Sequence, residues 1–130
     1  GIERDTRLRA MRWTVKGAIH QLLQSCVDSC VWCIRIVSSQ YPSGYASLVG
    51  ILVTYVDDFL ILMKAGEARE ALIKTIKAQW DTSAECQLDN KNPITFCGLE
   101  LCMCEGQLNV HQRGYINQLL LKYDLLQAKV

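Results

Sequence analysis

Proline is scarce in this chain: there are only two in 130 residues, and there is no internal repeat, no Gly/Ser-rich linker and no block of like charge. These absences exclude collagen-like, low-complexity and disordered polymers, which need biased composition or a poverty of apolar residues. An excess of either charge is missing too. Fourteen Lys and Arg against thirteen Asp and Glu leave +1, so the whole-molecule field draws neither nucleic acid nor anionic lipid, and any polyanion contact must be local. Long hydrophobic runs are absent as well: the apolar stretches are strand-sized, short of the ~20 residues a membrane span requires, and no charged-then-apolar leader opens the chain. The expectation is a soluble, intracellular, cytoplasmic protein with no membrane partner. With half its residues apolar, residues 1–130 are expected to form a single domain.

Cysteine, by contrast, is abundant. Seven residues is an odd count, and Cys30, Cys33, Cys97 and Cys102 sit in apolar runs, which favours reduced thiols used as small hydrophobes over a secreted disulfide framework. Apolar spacing at Leu8, Met11, Val15, Ile19, Leu22 and Leu23, around Gly17, predicts a first helix over 6–23. Residues 29–37 read as a strand, Tyr41-Pro42-Ser43-Gly44 as a turn, and 48–56 with 59–63 as a hairpin carrying Asp57 and Asp58 at its tip. After Gly66, the spacing of Ala68, Leu72, Ile73, Ile76 and Trp80 predicts an amphipathic helix. A second hairpin follows from 94–104 and 107–110 around Glu105-Gly106, with Gly98 as a bulge or close approach. Tyr115, Ile116, Leu119, Leu120 and Tyr123 mark a closing helix. The order α-β-β-β-α-β-β-α predicts an α+β fold: an antiparallel, ferredoxin-like sheet with helices on one face.

Adjacent carboxylates repel, and neighbouring side chains on a strand point to opposite faces, so a hairpin tip is the better place for Asp57 and Asp58 to act together. There they can approach Mg²⁺ or Mn²⁺, an ion that takes one or two carboxylates plus water and phosphate oxygens. Two-metal phosphoryl transfer needs such a site, with ions about 3.5–4 Å apart. The plainer reading is a solvated acidic turn. Arg4, Arg7, Arg9, Arg12 and Lys16, against Glu3 and Asp5, offer a local phosphate contact or an ordinary solvated helix face. Cys26, Cys30 and Cys33, with Trp32 before the last, have the spacing of the radical SAM iron-sulfur motif; placement of Cys30 and Cys33 on a strand and the short chain oppose that reading. Cys102 and Cys104 with His111 are a weak zinc pattern beside simple core packing. Trp13, Trp32 and Trp80 read as core anchors, and His20 as a half-exposed surface residue.

Ile51-Leu52-Val53-Thr54-Tyr55-Val56-Asp57-Asp58-Phe59-Leu60-Ile61 resembles the Tyr-x-Asp-Asp hairpin of reverse transcriptases, in the Tyr-Val-Asp-Asp form of copia-type retrotransposons. Further segments match in the family's order: Asp28-Ser29-Cys30-Val31-Trp32 resembles its Asp-Pro-Cys-Leu-Phe strand, and Phe96-Cys97-Gly98-Leu99-Glu100 its Phe-Leu-Gly-Ile-Glu strand. Gln112 with Tyr115, Ile116 and Leu119 resembles its Gln-x-x-Tyr-Ile helix. The opening Gly1-Ile2-Glu3-Arg4-Asp5-Thr6-Arg7-Leu8-Arg9 is similar to Gly-Leu-Arg-x-Ser-Pro-Arg-x-Trp, with Asp5, Thr6 and Arg9 where the family has Ser, Pro and Trp.

The resemblance covers nearly the whole chain. It implies part of the palm of an RNA-directed DNA polymerase, with Asp57 and Asp58 as catalytic metal ligands, Tyr55 near the primer end and Val56 on the floor beneath it. Partners would be an RNA or DNA template-primer, deoxynucleotides and the remainder of a polyprotein. The family's further metal-binding aspartate lies on a strand before the glycine segment and has no counterpart here; Asp5 and Asp28 are poor substitutes, and fingers and thumb are absent. The isolated chain is therefore expected to be inactive, and a structural or interaction remnant without catalysis is the competing expectation. An unpaired sheet edge left by the missing strand leads to an expectation of self-association.

Overall fold

The computed structural model describes residues 1–125 and divides the chain into two compact units, Gly1–Ser83 and Ala84–Val130. The first opens with a 3₁₀ turn (Ile2–Arg4) and a single-turn helix α1 (Thr6–Arg9). Asp5 caps α1, its Oδ1 accepting from the Arg7 amide at 2.9 Å. Five strands follow: β1 (Arg12–Val15), β2 (Ala18–Gln24), β3 (Val31–Val37), β4 (Tyr45–Tyr55) and β5 (Asp58–Met63). They form one antiparallel sheet in chain order, and helix α2 (Glu67–Gln79) follows.

The helix expected over 6–23 is corrected: only its first turn is helical, and the rest is the β1–β2 hairpin. Lys16 (φ 50°) and Gly17 (φ 78°) occupy its two-residue loop. Positive φ at both positions is the type I′ pattern, whose twist matches that of the flanking strands. The period is also two rather than 3.6. Trp13, His20 and Leu22 are buried, while Ile19, which the helical spacing places inside, is 39% exposed. His20, expected at the surface, is buried: its ring stacks on Trp13 at 5.5 Å between centroids.

The core lies between one face of this sheet and α2. Leu8, Met11, Trp13, Leu22, Trp32, Ile34 and Leu52 pack with Leu72 and Ile76 from the apolar stripe of α2. The Trp13 indole N–H donates to the Ala68 carbonyl at 3.1 Å and ties α2 to β1. Gly50 lies where β4 passes closest to its neighbours, since a Cβ there would sit 3.0 Å from Met63 Cγ and 3.1 Å from Ile34 Cδ1.

In the second unit Asp89 Oδ1 accepts from the Lys91 and Asn92 amides, both at 2.8 Å, closing a polar turn ahead of the next strand. These bonds hold the Asp89 carboxyl below its ordinary pKa. Strands β6 (Ile94–Phe96), β7 (Leu99–Cys104) and β8 (Gln107–His111) form a three-stranded antiparallel sheet, and α3 (Arg113–Lys122) follows. The Glu105-Gly106 turn stands where the sequence puts it. Gly98 is not a bulge: Cys97 (φ 54°) and Gly98 (φ 74°) form a turn that cuts the expected 94–104 strand in two. The fold is mixed α+β, with element order α-β-β-β-β-β-α-β-β-β-α in place of the expected one. Among the described residues no helix is long and apolar enough to cross a membrane.

Candidate metal centre at the β4–β5 hairpin

β4 leaves the core through Gly50, Leu52 and Thr54, all buried, and Thr54 anchors its end by donating from its amide to the Cys30 carbonyl at 2.8 Å. Tyr55 then pairs with Asp58, so the two-residue loop is Val56-Asp57 and not Asp57-Asp58. The shift by one residue separates the carboxylates' roles. Asp57 stands in the loop, free of strand alternation. Asp58 is the first residue of β5, on the face shared by Leu60 and Leu62 and away from α2.

Val56 has φ 55°. A β-branched residue in the left-handed region is a genuine outlier, because its side chain crowds the backbone there. The loops at Lys16-Gly17, Cys97-Gly98 and Glu105-Gly106 each use glycine at the second position; the Val56-Asp57 loop has none. The turn is held from outside the hairpin, since the Ile2 amide donates to the Val56 carbonyl at 3.2 Å. Tyr55, Val56, Asp57 and Asp58 are all exposed.

Among the described residues no group of three or more His, Cys, Asp or Glu side chains converges as a metal site. Two exposed neighbouring carboxylates without a third ligand still suit Mg²⁺, which retains several waters and is bound through one or two carboxylates and substrate phosphates. The donor set therefore fits a solvent-open ion and not a closed protein cage.

The basic residues do not share a helix face. Arg4 is exposed on the 3₁₀ turn, Arg9 on α1, Arg12 on β1, and Lys16 at the β1–β2 loop, 3.6 Å from Glu67 Oε1 in a largely exposed pair. Arg7 has a structural task. Its guanidinium grips Asp5 through Nε and Nη2, donates from Nη1 to the Gln79 carbonyl, and lies 4.2 Å over the Trp80 ring. The side-chain bond from Arg7, followed by its backbone amide, lowers the Asp5 carboxyl to about 2. A local signal for this clamp exists in the sequence, since Asp before a helix start is a cap, but nothing in it points to Gln79 and Trp80 as partners.

All seven cysteines are free thiols; Cys26 is exposed and Cys30 and Cys33 are half-buried. His111 Nδ1 faces Glu100 Oε2 at 3.1 Å and the Arg113 amide at 3.3 Å, so its near nitrogen is engaged by these groups. Trp13 and Trp32 are buried and Trp80 packs edge-on to Phe59 at 5.4 Å, as core anchors do. No protein-family profile, curated protein or solved structure matches the chain.

Proposed function

We propose that the β4–β5 hairpin is the metal-bearing turn of an RNA-directed DNA polymerase palm, carried by a copia-type retrotransposon polyprotein of which this chain forms part. The observation that carries the reading is the strained Val56 at the apex of a Tyr-Val-Asp-Asp loop whose four residues are all exposed. Strain of this kind persists where the surroundings over-determine it, and it clusters at functional sites. Here the Ile2–Val56 bond and the anchored end of β4 do so, and they hold Asp57 out to solvent.

In this role Asp57 and Asp58 hold Mg²⁺ or Mn²⁺. When bound, the ions would supply electrostatic stabilisation for attack of a primer 3′-hydroxyl on the α-phosphate of a deoxynucleotide. Asp57 binds from the loop and Asp58 from the strand end. Tyr55 offers a ring beside the primer end and Val56 a rigid apolar floor. Exposed Arg4 and Arg12 are available for phosphate contact, whereas Arg7 is committed to its clamp. With two carboxylates and no third among the described residues, the chain alone binds metal weakly and does not polymerise. A non-catalytic remnant of the same fold is the second reading, favoured by the lack of a third acidic ligand among the described residues.

Titration calorimetry with Mn²⁺ separates the two. The proposal expects saturable binding that weakens by roughly tenfold or more in Asp57→Asn, the loss of one of two charged ligands. No binding by the wild-type chain, or equal binding by the variant, would support the remnant.

A further inference from the structure

β5 is the outer strand of its sheet, and among the described residues it pairs with β4 alone. A two-residue loop is closed by a hydrogen-bonded pair, here Tyr55 with Asp58, and bonded and non-bonded pairs alternate along an antiparallel ladder. The backbone groups of Asp58, Leu60 and Leu62 therefore turn to β4, and those of Phe59, Ile61 and Met63 turn outward. Arg69 Nη1 reaches the Met63 carbonyl at 3.3 Å, in agreement, and leaves that oxygen a second lone pair. Such an edge is a template for another strand unless Lys, Pro or a bulge blunts it. Asp58–Met63 contains neither residue, and its register with β4 runs without a shift.

We infer that a second copy of this chain occupies the edge, β5 antiparallel to β5 about a two-fold axis through Ile61. An axis normal to the sheet pairs residues that share a face, so it passes through a residue, and Ile61 is the central one whose backbone turns outward. Ile61 then faces its own copy, Leu60 faces Leu62, Phe59 faces Met63, and Asp58 faces Lys64 at both ends. Moving the axis to Phe59 sets Asp58 against Leu60, to Leu60 sets Asp58 against Leu62, to Leu62 sets Leu60 against Lys64, and to Met63 sets Phe59 against Glu67. The Ile61 axis alone matches apolar with apolar and acid with base. It also joins two apolar rows on the face away from α2, Leu23–Cys33–Ile51–Leu62 and Val31–Val53–Leu60, to their copies across the interface. The inference rests on the sheet edge and is independent of the proposed chemistry.

Sedimentation velocity of the full chain from about 1 to 200 μM tests it, a range that resolves micromolar homodimers. The wild type dimerises. Lys64→Glu sets carboxylates against each other at both ends and weakens the dimer by about tenfold or more, and combining it with Asp58→Lys restores affinity to within about threefold. Hydrogen exchange on the wild-type chain gives a second reading that needs no variant: the Phe59, Ile61 and Met63 amides slow as concentration rises. A strictly monomeric wild type, an unaffected Lys64→Glu chain of native circular dichroism, or concentration-independent exchange at those amides overturns the inference.

Discussion

Val56 holds a branched side chain at φ 55° on a loop that glycine would enter freely. Left-handed backbone costs a non-glycine residue about 1–2 kcal/mol, and part of that is regained by glycine's larger unfolded-state entropy. Val56→Gly is thus expected to raise stability by up to about 1 kcal/mol in thermal unfolding; a clear loss would show that the valine side chain makes contacts outweighing its strain. Asp5 gives a prediction in pH. Its folded pKa, lowered to about 2 by the Arg7 guanidinium, lies below the unfolded value near 3.8. A depressed carboxyl stabilises the fold above its unfolded pKa, and that contribution fades as pH falls from about 4 towards 2. Asp5→Asn should flatten the stability profile in this window, measured by urea midpoints between pH 2 and 5. An unchanged slope would mean that the clamp does not form in solution.

At the scale of elements, the hairpins decide the fold. Alternating side chains and a sharp loop at Tyr55-Val56-Asp57-Asp58 are legible because Val, Ile and Leu runs flank a short polar break, and α2 is legible because its apolar stripe has one period throughout. The first hairpin is not. Leu8, Met11, Val15 and Ile19 satisfy a helical spacing, whereas Trp13, His20 and Leu22 satisfy a strand spacing, and the stack of Trp13 on His20 across the β1–β2 pair is a tertiary fact that no local pattern contains. The Lys16-Gly17 and Cys97-Gly98 loops give only a weak local signal: glycine at the second position suits a type I′ turn, but the Asn-Gly or Asp-Gly pair that marks one strongly is absent from both. Gly98→Val, at φ 74°, should cost about 1–2 kcal/mol in denaturant unfolding. A neutral outcome would contradict the turn and favour an unbroken strand. Gly50→Ala should cost about 1–3 kcal/mol, because its new methyl meets Ile34 and Met63 at near 3 Å in the sheet interior. A stabilised variant would mean that those side chains yield freely.

For the molecule as a whole, a charge of +1 leaves no strong field to steer a polyanion, so function must be concentrated in a local site. The candidate site was legible as residues but not as geometry: Asp57 and Asp58 stand out in the sequence, while their division between loop and strand follows from the Tyr55–Asp58 pairing. Asp58 enters both the metal site and the β5 edge. Mn²⁺ and self-association thus draw on one carboxylate, and added Mn²⁺ should weaken the dimer in sedimentation; a dimer indifferent to saturating Mn²⁺ would separate the two roles. The most direct measurement is paramagnetic broadening in a ¹⁵N-labelled chain titrated with substoichiometric Mn²⁺. The amide signals of Val56, Asp57 and Asp58 should vanish first, and survive in Asp57→Asn. Broadening centred on other acidic residues such as Glu67 or Glu105, with the hairpin signals intact, would contradict the assignment of metal chemistry to this turn.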